Sequence, residues 1–186
     1  MKAKPARKPG AVTLELSRRD DPLLAAAARA NARSPFAIRN ILVPVDFSDC
    51  SKKAVQYALP LARQHQAALT LLYVVAPAYG AGDYGGIDYY QLEAGMRQGG
   101  ERELEKLSAE LVGGEVPVRT TVRVGSPARE IVEAARSVPA DLIVISTHGR
   151  TGLNHVFLGS VAEHVIQRAP CPVFVVRERE HDILTG

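Results

Sequence analysis

The chain has 186 residues and a mass of 20.0 kDa, which suits one domain of ordinary size with a tail rather than two domains. Hydrophobic residues make up 46% and charged residues 23%, so a core can be buried and disorder throughout the chain is excluded. No apolar run approaches the roughly 20 residues needed to span a bilayer, no secretory leader pattern is present, and two cysteines, Cys50 and Cys171, cannot build a disulfide framework. A cytoplasmic protein with reduced thiols is expected.

The net charge of +3 conceals an asymmetry: residues 1–39 hold nine Lys/Arg against three Asp/Glu, and residues 40–186 hold fourteen against seventeen. The high isoelectric point therefore belongs to a basic N-terminal arm, residues 1–37, set before a domain at 38–179 and a short C-terminal tail at 180–186. Within the arm, residues 20–32 (DDPLLAAAARANA) offer a short helix with Asp21 as its cap and Pro22 at the first helical position. The arm is expected to be a flexible, solubilising tail. Contact with nucleic acid or an anionic membrane is the competing reading of its charge; neither is the expected partner. Glu15, Asp20 and Asp21 argue against an organelle-targeting leader.

From residue 40 the pattern becomes regular. Ile41 to Val45 is a short β-branched run, and residues 50–66 follow with apolar positions at helical spacing, Pro60 being expected to bend that helix. Leu69 to Val75 is a continuous apolar run, as for a strand buried on both faces. Residues 76–90 carry four glycines and read as a loop, and residues 91–112 as a long helix with a solvated face. Val116 to Val124 alternates like a strand, and Ser126 and Pro127 open a helix that runs to about Ser137. Asp141 to Ser146 is a buried strand, residues 147–159 a glycine-bearing loop, residues 160–169 a helix, and Pro172 to Val176 the last strand. Strands and helices thus alternate, which predicts an open, five-stranded parallel α/β sheet with helices on both faces, Rossmann-like in architecture. In such sheets ligands sit beyond the carboxyl ends of the strands, where neighbouring connections diverge.

The loop after the fourth strand carries Gly149, Gly152 and Gly159, which allow a turn or a close backbone approach to a ligand. Ser160 and Glu163 have the S-x-x-E spacing of a capping box, placing the helix start near Gly159. A helix start offers unpaired N–H groups and the positive end of its dipole, which favour an anion such as phosphate. Arg150 would add a cation, and Thr147, Thr151 and Ser160 hydroxyls. Taken singly, Ser160 reads equally as a cap, and each glycine as a turn.

The segments ILVPVDFSDCSKKAVQYALPLA, GSPAREIVEAA and STHGRTGLNHVFLGSVAEHVIQRAPCPVFVV resemble, in this order, the universal stress protein family over about residues 38–177. The resemblance implies a sheet of order 3-2-1-4-5, dimerisation through the last strand, and, for the nucleotide-binding branch, a loop of pattern G-x2-G-x9-G-[ST]. Gly149, Gly159 and Ser160 match that pattern, whereas Ser146 replaces its first glycine. The resemblance implies ATP as ligand, with Mg or Mn as an accompanying ion. Gly149, Arg150, Gly159, Ser160 and Val161 would surround the phosphates, Gly152 and His148 would belong to the same loop, and Ser146 would lie beside ribose and phosphates. Pro44, Val45 and Asp46 would frame adenine and ribose, and Val74 or Val75 would line the base pocket. A positive φ at Ser146 would cost about 1–2 kcal/mol; a negative φ would preserve its N–H for the ligand.

Other features weigh less. Asp46 also fits a turn residue bonding the loop at Ser48 and Asp49. Gly80, Gly82 and Gly85 spell G-x-G-x-x-G, but no helix follows promptly, so a dinucleotide fingerprint is not expected. Tyr79, Tyr84, Tyr89 and Tyr90 suit a flap over a base or a subunit contact. His148, His155 and His164 lack zinc-site spacing, and no metal centre is expected. Cys50 reads as packing or as a helix-start thiol, Cys171 as a linker entering the last strand. The functional expectation is an ATP-binding, dimeric stress-response regulator or sensor. A slow ATPase or self-phosphorylating protein, and a dimerising module that binds no nucleotide, remain the alternatives; no catalytic residue is assigned. A Gly159→Val substitution is expected to abolish ATP binding without unfolding, by blocking approach of the phosphate.

Overall fold

The computed structural model describes residues 2–5, 12–15, 37–76, 89–147 and 159–177. The chain divides into two compact units, residues 1–37 and 38–186. In the first, Lys2–Pro5 and Val12–Glu15 pair as antiparallel strands, a pairing the sequence did not lead us to expect. The helix expected at residues 20–32 lies outside the described residues.

The second unit contains β1 (Asn40–Val45), α1 (Asp49–His65), β2 (Ala68–Val75), α2 (Tyr89–Leu111) and β3 (Val118–Val124), then α3 (Pro127–Ser137), β4 (Leu142–Ser146), α4 (Ser160–Arg168) and β5 (Val173–Val176). All five strands pair in parallel in the order β3-β2-β1-β4-β5, the 3-2-1-4-5 arrangement expected. Side chains alternate across a strand, and this sorts the core into two layers. Ile41, Val43, Leu69, Leu71 and Val144 pack under α1 and α2 against Ala54, Val55, Ala58, Leu104 and Leu107. Leu42, Leu72, Ile143 and Ile145 pack on the other face against Ile131, Val132 and Ala135 of α3 and Ala162 and Val165 of α4. Because helices cover both faces, the central strands read as continuous apolar runs rather than alternating ones.

Local chemistry fixes the element ends. Ser48 caps α1, its Oγ accepting the Ser51 N–H at 3.3 Å. At the other end Gln66 turns left-handed (φ 54), and the Ala67 N–H donates to the Ala62 carbonyl at 2.9 Å, satisfying the last turn. Pro60 lies inside α1 without ending it; it is exposed, so the Gln56 carbonyl that loses an N–H partner can turn to water. Asp141 ties the entrance of β4 to that of β1, its Oδ2 accepting the Arg39 and Asn40 N–H groups at 2.8 and 3.0 Å. In α4 the cap expected at Ser160 is corrected: Gly159 is the N-cap, Ser160 is the first helical residue, and no side chain caps the helix. Among the described residues no helix is long and apolar enough to cross a membrane.

Candidate functional site

The carboxyl ends of β1, β2 and β4 meet the starts of α3 and α4 around an open hollow of about 510 Å³, within the usual ~300–1,000 Å³ of small-molecule sites. Three strand ends contribute walls: Pro44 and Val45 close β1 and Asp46 follows it, Leu72, Tyr73 and Val74 lie near the end of β2, and Ile145 and Ser146 close β4 with Thr147 after them. Pro127 and Ile131 come from α3, and Gly159, Ser160, Val161 and Ala162 from the start of α4. Ser51, Ala76 and Met96 complete the described lining.

Strand periodicity decides which valine takes part. Leu72 and Val74 face the α3–α4 layer and open onto the hollow, whereas Val75 is 1% exposed, does not line the hollow and accepts the Gly125 N–H at its carbonyl. Of the two valines expected at a base pocket, Val74 lines the hollow and Val75 does not.

Asp46 is held rather than loose. Its Oδ1 accepts the Ser48 N–H at 3.1 Å and the Ser48 hydroxyl at 2.6 Å, and its own N–H donates to Ser51 Oγ at 3.3 Å. The turn bonding expected of Asp46 is thus present, and it orients the carboxylate at the rim of the hollow. A carboxylate accepts about four hydrogen bonds, so bonding to Ser48 does not exhaust it. The next residue, Phe47, is left-handed (φ 68), with its ring centroid 4.7 Å from that of Tyr73.

Ser146 poses no backbone problem. It ends β4 in register with Val176, and among the described residues the non-glycine positions with positive φ are Phe47 and Gln66. The replacement of the motif's first glycine is therefore made without left-handed strain, and the N–H is retained.

Gly159 is required for a different reason than expected. Its φ of −61° is open to any residue, but a Cβ there would stand 2.6 Å from the Thr147 carbonyl oxygen, which already accepts the Gly159 N–H at 2.9 Å. The bare Cα lets the start of α4 sit directly against the end of β4. A side chain would thus strike the Thr147 backbone, and a Gly159→Val variant is not a clean probe of phosphate approach. The N–H groups of Ser160, Val161 and Ala162 have no acceptor within the helix, because the first intrahelical bond runs from the Glu163 N–H to the Gly159 carbonyl.

The start of α3 borders the same hollow, a feature the sequence signalled through Ser126-Pro127 but which was not carried into the candidate site. Ser126 is its N-cap without a side-chain bond, and Ile131, one turn beyond Pro127, adds an apolar wall. Leu72, Tyr73, Met96 and Ile145 also line the hollow, and of these alternation from Val74 along β2 points to Leu72 alone. His148, Gly149, Arg150 and Gly152 lie outside the described residues, as do Gly80, Gly82 and Gly85, Tyr79, Tyr84 and His155. His164 is exposed on α4.

Among the described residues no group of three or more His, Cys, Asp or Glu could hold a metal ion. Cys50 is buried, its Sγ 4.0 Å from the Val176 carbonyl oxygen. Burial pushes the Cys171 thiol above its ordinary pKa, and the nearby Asp141 carboxylate adds to the shift. The hollow combines apolar walls, one held carboxylate and a helix start rich in N–H donors. That set can grip a ligand with a flat apolar part, hydroxyls and an anionic end.

The universal stress protein family model matches residues 37–177. A universal stress protein of Methanocaldococcus jannaschii is 37% identical over 142 residues, covering 75% of this chain and 82% of that protein. The solved universal stress protein of Lactobacillus plantarum superposes with a TM-score of 0.67 at 30% identity, covering 75% of this chain and 98% of that one. Another, solved in complex with cAMP, superposes with a TM-score of 0.52 at 27% identity, covering 75% of this chain and 97% of that one. Family model, identity and strand order agree, and the chain belongs to the universal stress protein family.

Proposed function

We propose that the hollow binds an adenine nucleotide, ATP with Mg or Mn, and that the protein works as a dimeric regulator or sensor in a cytoplasmic stress response. The observation that carries this reading is the uncapped start of α4, pressed against Thr147 by Gly159 and facing an apolar slot with Asp46 at its rim. The N–H groups of Ser160–Ala162 and the positive end of the helix dipole suit phosphates. In this reading Gly149, Arg150, Gly152 and His148 complete the phosphate loop, Ser146 meets ribose and phosphates, Asp46 takes ribose hydroxyls, and Pro44, Val45 and Val74 flank the base. The metal ion would be held mainly by phosphate oxygens and water. The relative solved with cAMP supports an adenine ligand for the class.

The character of β5 supports the dimer. It is an edge strand, its Phe174 is 38% exposed, and VFVV carries none of the charges that guard free edges. Pairing of two copies through Pro172 to Val176 would satisfy its outer backbone groups.

The test is to denature the purified protein and analyse what is released, and to titrate nucleotide-stripped protein with ATP by calorimetry. Stoichiometric adenine nucleotide, or saturable ATP binding, is expected. A stripped protein that gives no binding heat with millimolar ATP at two temperatures overturns the proposal.

A further inference from the structure

The outer surface of α3 and α4 concentrates positive charge in a domain whose residues 40–186 carry more acid than base. Arg129, Val132, Glu133 and Arg136 fall on one face of α3 at spacing i, i+3, i+4, i+7, and His164 and Arg168 lie one turn apart on the neighbouring α4. Together they line a small cleft of about 170 Å³, away from the nucleotide hollow, with which it shares no lining residue.

The partners of these side chains are unequal. Arg136 Nη1 is bonded to Glu133 Oε1 at 2.5 Å, which neutralises that carboxylate and fixes the guanidinium beside the cleft. Arg129, His164 and Arg168 make no ion pair or side-chain hydrogen bond among the described residues. Helix electrostatics account for two of the cations: Arg136 and Arg168 stand in the last turns of their helices, where the dipole favours positive charge. They do not account for Arg129. It is the third residue of α3, at the positive end of the dipole, where a cation is unfavourable. Glu130 beside it offers no relief, being engaged with Arg123 at 3.5 Å.

We propose that this cleft is a second anion site, built for a phosphoryl dianion, either free phosphate or the terminal monoester of a small metabolite. A phosphate group carries close to two negative charges at neutral pH and presents three oxygens. It can therefore engage the Arg129 and Arg168 forks at once, with His164 lining the same cleft, whereas a carboxylate carries one charge and two oxygens. The cleft is too small for a whole nucleotide and the cations are exposed, so binding is weak and falls as ionic strength rises.

The full chain, labelled with ¹⁵N, is titrated with inorganic phosphate and separately with O-phosphoserine, ionic strength being held constant with chloride. Saturable amide shifts centred on Arg129–Arg136 and His164–Arg168 are expected, with affinity falling about tenfold or more in Arg129→Ala and in Arg168→Ala. Arg168→Lys, which keeps the charge but loses the fork, should fall between wild type and Arg168→Ala. These surface variants should melt within a few degrees of wild type. Saturation by phosphate alone assigns the cleft to the free ion, and saturation by both to a terminal monoester as well; either supports the proposal. Shifts confined to residues 159–162, non-saturating shifts, or an affinity unchanged in both alanine variants overturn it. Failure here leaves nucleotide binding in the hollow untouched, because the two titrations report on different amides.

Discussion

Gly159→Ala is the substitution whose consequence the geometry fixes most tightly. The new Cβ would stand 2.6 Å from the Thr147 carbonyl oxygen, a backbone atom that cannot swing aside as a side-chain tip would. Backbone conformation adds nothing, since φ at Gly159 is −61°. Relief requires the start of α4 to move off the end of β4 by roughly 0.5–1 Å, which stretches the 2.9 Å Gly159–Thr147 hydrogen bond past the ~3.2 Å limit of a good one. Overpacking of this kind costs about 1–3 kcal/mol, and alanine is also a poorer N-cap than glycine. For a domain of this size that is a fall of roughly 2–10 °C in melting temperature. The same displacement moves the N–H groups of Ser160–Ala162, so nucleotide affinity should fall together with stability. Thermal melts of the nucleotide-free protein, paired with ATP calorimetry, measure both. A Gly159→Ala protein that melts with wild type would refute the packing argument, whatever its affinity.

Further expectations rest on single contacts. Asp46→Asn keeps an oxygen to accept from Ser48 but loses the charge, so ATP affinity should drop about tenfold by calorimetry while the melting temperature moves little. Gly100→Ala should destabilise by about 1–3 kcal/mol, because its Cβ would meet the Tyr73 ring at 2.5 Å and that ring is already packed on Phe47. Gly99→Ala, with nothing within 4 Å of its Cβ, should instead stabilise by roughly 0.5–1 kcal/mol in urea denaturation. The Cys171 thiol is raised by burial and by Asp141, so as pH climbs past the thiol pKa of the unfolded chain, about 8.5, the unfolded state ionises first and stability declines. Urea midpoints measured from pH 7.5 to 10 should show that decline, and Cys171→Ser should flatten it.

Much of this architecture was legible before any coordinates. The β-branched runs at residues 41–45, 69–75 and 142–146 could be buried on both faces only in a covered parallel sheet, and the helical spacing between them supplied the cover. A hollow at the carboxyl ends of β1 and β4 could therefore be anticipated, and Asp46, Ser146, Gly159 and Ser160 line it. What escaped was set by contacts between distant residues. Val74 and Val75 are indistinguishable by type, and only the pairing of β2 with its neighbours decides which one opens onto the hollow. The S-x-x-E spacing placed the start of α4 near Gly159, where it stands, but it made Ser160 the cap, because the close approach of Gly159 to Thr147 has no local signature. The reason for Gly100 is a tyrosine twenty-seven positions earlier in the chain, a contact no local pattern announces.

The central claim is that adenine nucleotide phosphates lie against the first turn of α4, and a crystal structure of the protein grown with Mg-ATP tests it most directly. Phosphate oxygens about 2.7–3.2 Å from the amide nitrogens of Ser160–Ala162, with adenine between Pro44 and Val74, are the predicted result. A hollow holding only water at saturating ATP, or a nucleotide bound elsewhere on the chain, would contradict the account.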